Sequence, residues 1–193
     1  MTYFNTYLTL GLEHILNIQA LDHLLFILSL TCIYRFSDSK NLFFLITAFT
    51  IGHSLTLGLA TMGWIQVSMH WIEFLIPCTI FLSAIGNFSF QDAGLKKQKN
   101  SSLKYLLVGI FGLIHGLGFS NYLQSLLGKE QSIVGPLFAF NIGLEIGQII
   151  VVISILILSS LIMRLTKIKM QSLVLVISGI VIGLVIPMII ERW

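Results

Sequence analysis

Six apolar segments dominate this chain: roughly residues 6–34, 42–62, 68–89, 103–125, 134–163 and 170–190. Each reaches the ~20 residues that a helix needs to cross a hydrocarbon layer. A backbone in lipid must satisfy its own hydrogen bonds, so such segments fold as helices. The predicted fold class is therefore an all-α integral membrane protein, one domain over 1–193 with six transmembrane helices. Only 10% of the residues are charged, with a mean hydropathy of +0.94. A water-facing surface needs about 25%. The first and fifth segments exceed one crossing, which predicts tilt, a break or an interfacial turn there.

The charges that exist are concentrated. Loops one, three and five carry nine of the eleven basic residues: Arg35, Lys40, Lys96, Lys97, Lys99, Lys104, Arg164, Lys167 and Lys169. Lys129 and Arg192 alone fall on the opposite side. Basic loops stay cytoplasmic, which predicts both termini outside. Trp64 and Trp71, in the short second connection, read as interfacial anchors. This clustering argues against a nucleic-acid surface, and no nucleotide-binding motif is present. Cys32 and Cys78 lie in apolar runs without metal or disulfide spacing and read as small hydrophobes. The N-terminus has neither a basic region nor a small-residue cleavage site, so it is not read as a signal peptide.

Short internal matches exist. GLEH (11–14) resembles GLIH (112–115), and FTIGH (49–53) resembles FNIGL (140–144). Three crossings per half would give the halves opposite orientation. The matches support two inverted three-helix repeats, 1–90 and 103–193, beside the alternative of an unrepeated bundle.

Ionisable groups inside these segments call for a reason, because each costs at least ~2.5–3.5 kcal/mol near the bilayer centre. Span one holds Glu13, His14, Asn17, Asp22 and His23. On an ideal helix Asp22 lies about 80° round from His14, and His23 about 180°. No single stripe holds them, so the helix breaks or protein surrounds it. Span two holds His53 with Thr47, Thr50 and Ser54; span three holds Glu73. Span four holds His115 beside Gly109, Gly112 and Gly116, a face that allows close helix approach. Span five carries Asn141, Glu145 and Gln148 on one face. Imidazole with carboxylate and no thiolate suits Ni²⁺, Co²⁺ or Zn²⁺. The competing reading is that these groups merely pair as interhelical glue.

GLEHILNIQALDHLLFIL, FTIGHSLTL, FGLIHGLGF and FNIGLEIGQ together resemble the HupE/UreJ family of bacterial membrane proteins, over about residues 8 to 150. That resemblance implies a six-span inner-membrane permease, with nickel as the expected cation. Carried over by position, the metal-handling residues are His14, Asp22, His23, His53, His115 and Glu145, with Glu13, Ser54, Glu73, Asn141 and Gln148 supporting. The gap ILNIQAL after His14 is longer than in many members and lacks their glycine. Two other readings stand beside transport. Three histidines and an aspartate could hold zinc in an intramembrane hydrolase, with Ser54 or Glu145 assisting. Two histidines on separate helices could also ligate haem in a non-transporting partner protein.

Overall fold

A computed structural model describes residues 3–18, 21–90, 102–127 and 133–193. Lys96, Lys97, Lys99 and Lys129 lie outside the described residues. All regular elements among the described residues are helices. They are α1 (Tyr3–Leu16), α2 (Leu21–Thr31), α3 (Ser39–Thr61), α4 (Met69–Gly86), α5 (Ser102–Gly118), α6 (Ser120–Leu127), α7 (Val134–Thr166) and α8 (Met170–Arg192), with short 3-10 turns at Phe36–Asp38 and Asn87–Ser89. The helices α3, α4, α7 and α8 are long and apolar enough to cross a membrane. Counting each bent pair, α1–α2 and α5–α6, as one span raises the number to six.

The breaks differ from expectation in one respect. Span one breaks as expected, with α1 and α2 inclined at 66°. Of the alternatives for span five, a break is ruled out: α7 runs uninterrupted for 33 residues, about 50 Å, longer than the hydrocarbon thickness, which leaves tilt. It is span four that bends, by 48°, between α5 and α6. Gly116 and Gly118 weaken the helix just before the bend. Ser120 Oγ donates to the Leu117 carbonyl at 2.8 Å, and the Phe119 carbonyl accepts from Leu123 N–H at 3.1 Å, which closes one helix and opens the next.

Three helix pairs make the core: α1 with α7, α3 with α5, and α4 with α8. Glycines set the first two crossings. A Cβ on Gly11 would strike the Phe140 carbonyl, and one on Gly143 the Leu8 carbonyl. Equivalently, a Cβ on Gly52 would strike the Gly109 carbonyl, and one on Gly112 the Phe49 carbonyl. Moving one turn on, from Gly143 to Gly147, shifts the facing residue from Leu8 to Ile15, and from Gly112 to Gly116 shifts it from Phe49 to His53, so those helices run parallel, as the odd pair (spans one and five) and the even pair (two and four) must in a six-crossing chain. In α4 and α8 they run oppositely: Phe74 meets Trp193, and Asn87 meets Ser178.

The two ends differ in chemistry. At one end Arg35 Nε contacts Met170 Sδ at 3.0 Å and Lys104 Nζ sits 4.8 Å from the Tyr34 ring centroid, which gathers the basic loops one, three and five. Trp64, Trp71 and Trp193 are exposed at the opposite end. Asn87 Nδ2 donates to the Ser29 carbonyl at 2.8 Å and Ser178 Oγ at 3.2 Å, tying α2, α4 and α8 together. Neither cysteine is in a disulfide; Cys32 is buried and Cys78 half-buried.

Candidate metal centre

The break in span one changes where its histidines point. A continuous helix would hold His14 and His23 on opposite faces; the bend brings their rings to 4.5 Å between centroids. His53, from α3, lies 5.8 Å from each. One donor atom from each of His14, His23 and His53 lies within 4.8 Å of the others. His115, from α5, flanks the group with its ring 5.2 Å from that of His23. Four imidazoles from four helices thus share one location, His23, His53 and His115 buried and His14 half-buried, with His53 and His115 at 0% and 1% exposed.

Several of their nitrogens are left without partners. Nε2 of His14 and His23, both ring nitrogens of His53, and Nδ1 of His115 are buried with no hydrogen-bond partner. Unpaired buried polar atoms are rare in folded proteins because each forfeits its hydration. Here five fall on neighbouring imidazoles, each of which, when neutral, offers one lone pair. The remaining His115 nitrogen, Nε2, lies 3.0 Å from Thr79 Oγ1.

The surroundings are asymmetric. Toward the basic end the histidines rest on an aromatic floor: Phe49 lies 5.9 Å from His53 and 5.3 Å from His115, and Phe26 packs 4.9 Å from Phe49. Toward the tryptophan end a cavity of about 400 Å³ reaches His14, His23 and His115 and is also lined by Asp22, Glu73 and Arg192. A second, more open cavity of about 740 Å³ is lined by Glu13, His14, Asn17 and Tyr122. Phe119 borders both, its ring 4.2 Å from that of His14.

The carboxylates expected at the site are not all gathered there. Asp22 lies beside the histidines but pairs with Arg192 at 3.2 Å. Glu145 accepts from Thr47 Oγ1 at 3.0 Å. Thr47 is six residues along α3 from His53, about 9 Å of helix rise. Gln148 Oε1 accepts from Thr50 Oγ1 at 2.9 Å, and Ser54 Oγ donates to the Thr50 carbonyl at 2.6 Å. Asn141 is half-buried with its Oδ1 unpartnered. Glu13 and Glu73 are exposed at the cavity mouths. Sequence reasoning missed Thr79, Phe119 and Arg192. The first two carry no charge to draw notice, and Arg192 reads as an ordinary loop cation.

A bundle of apolar helices that gathers four imidazoles between them defines a class: multi-pass, all-helical membrane proteins. The chain belongs to the HupE / UreJ family, whose family model matches residues 1–192. Membership points to membrane transport of nickel or cobalt, with the metal ion as substrate. No curated protein and no solved structure matched the chain.

Proposed function

We propose that the protein is a bacterial inner-membrane permease for a divalent transition-metal cation, nickel first, and that His14, His23, His53 and His115 form its central binding site. The observation that carries this is the set of unpartnered imidazole nitrogens, with donor atoms of His14, His23 and His53 converging and the His115 ring alongside. Neutral imidazole is a borderline ligand suited to Ni²⁺, Co²⁺ and Zn²⁺, and no thiolate is present to retain the ion. Glu13, Asp22 and Glu73 line the approach and attract the hydrated cation. Glu145, Asn141 and Gln148 serve the stretch beyond the histidines. Several partial sites along an axis let an ion leave as well as enter.

The basic end faces the cytoplasm and both termini face outside, since six of the described basic residues gather there and the tryptophans at the other. Residues 1–90 and 103–193 form inverted repeats. Span one packs on five as four packs on two, with Gly11 and Gly143 in one crossing answered by Gly112 and Gly52 in the other. His14 and His115 occupy equivalent positions, so the pseudo-symmetry axis runs near the site. Cavities at the tryptophan end and an aromatic floor at the other describe an outward-open arrangement.

The hydrolase reading is less well supported. Ser54 is bonded to its own helix and Glu145 stands with Thr47, so neither is disposed as a base beside the histidines. Uptake of Ni²⁺, Co²⁺, Zn²⁺ and Mn²⁺ into proteoliposomes is the test, with His53→Ala and Asp22→Asn as variants. Transport lost in His53→Ala supports the assignment. Uptake unaffected by either substitution refutes it.

A further inference from the structure

Pro77 lies one helical turn after Glu73 and has no N–H, so the Glu73 carbonyl receives no bond from the α4 ladder at that point. Arg192 takes that place. Its Nη1 donates to the Glu73 carbonyl at 3.3 Å, to Asp22 Oδ1 at 3.2 Å and to Oδ2 at 3.4 Å, while Nη2 donates to Oδ2 at 3.4 Å. A guanidinium cannot lose its proton here. It therefore stands as a permanent positive charge on the wall of the cavity that reaches His14, His23 and His115. A fixed cation in the approach to a cation site is costly unless it serves that site.

Resting on the transport reading above, we propose that Arg192 is a tethered counter-cation: its guanidinium holds the Asp22 carboxylate until an arriving divalent ion displaces it, and it reclaims the carboxylate as the ion departs. Asp22 and Glu73 with Arg192 leave one net negative charge, enough to attract a cation. Without the guanidinium the same cavity would carry two, and the histidines would hold their cargo too tightly to turn over. The freed Glu73 carbonyl gives the displaced guanidinium a second anchor, so the exchange needs only a small swing of the side chain.

The test is calorimetric titration of the full chain in detergent with Ni²⁺ and Co²⁺, alongside proteoliposome uptake. Arg192→Gln is expected to bind about tenfold more tightly, from one added unit of negative charge in a partly solvated cavity, while its maximal uptake rate falls. Arg192→Lys retains wild-type behaviour in part. Asp22→Asn, which leaves the guanidinium unpaired, binds about tenfold more weakly; this variant keeps the proposal testable if Arg192→Gln does not fold. A merely structural ion pair would lower thermal stability in both variants without moving affinity in opposite directions. Equal or weaker binding in folded Arg192→Gln, or unchanged binding in Asp22→Asn, overturns the proposal. Wild-type protein that binds neither ion overturns the transport reading itself, a separate result.

Discussion

Thr79 Oγ1 lies 3.0 Å from His115 Nε2 and also donates its one proton to the Ile76 carbonyl at 2.7 Å. A proton committed to Ile76 leaves the hydroxyl to accept from His115, in the tautomer with hydrogen on Nε2 and a lone pair on Nδ1, which is buried and unpartnered. In that arrangement Thr79 favours one tautomer of His115, as hydrogen-bond partners of metal-binding imidazoles do.

Replacing Thr79 with Val removes that acceptor while preserving shape. Affinity for Ni²⁺ or Co²⁺ should fall about 10–100-fold, with Thr79→Ser close to wild type. Calorimetric titration of both variants checks this. Equal affinities in Val and wild type would mean His115 needs no such orientation.

Phe119 places an aromatic ring against His14, 4.2 Å between centroids. Phe119→Trp turns this contact into a reporter. Paramagnetic Co²⁺ or Ni²⁺ at the histidines should quench the added emission saturably, and His14→Ala should abolish the saturable component. The native tryptophans, Trp64, Trp71 and Trp193, are exposed at the protein's end and supply the background.

Affinity and throughput should separate between His53 and Glu145. His53→Ala removes a proposed central ligand, and binding should drop by an order of magnitude or more, about 1.4 kcal/mol per decade. Glu145 is held by Thr47 rather than by the histidines. Glu145→Gln should keep the dissociation constant within about twofold, roughly 0.4 kcal/mol, while slowing uptake. Titration and flux measured on the same preparations decide it.

The glycine crossings should fail selectively. Gly11→Ala, Gly52→Ala, Gly112→Ala and Gly143→Ala each force a methyl against a facing backbone carbonyl. Overpacking of this kind costs about 1–3 kcal/mol or more. At Gly179 and Gly183 nothing lies within 4 Å of the added methyl, and alanine there should be neutral or slightly stabilising through helix propensity. Thermal unfolding in detergent separates the two sets.

The sequence alone determined the class of fold and most of the histidines, because both follow from short-range statements. Twenty apolar residues in a row have no soluble solution, and an imidazole inside such a run stands out against its neighbours. The spacing Gly11–His14 and Gly112–His115 even marked two spans as alike. What sequence could not supply was direction in space. Helical periodicity put His14 and His23 on opposite faces, and only the bend between α1 and α2 made them neighbours. Likewise Glu145 and the histidines read as one set, yet the register of α7 on α3 brings Glu145 to Thr47 and Phe140 to His53. The pairing of Asp22 with Arg192 joins residues 170 positions apart. A charge pair of that separation depends on how α2 and α8 pack, which no local pattern encodes.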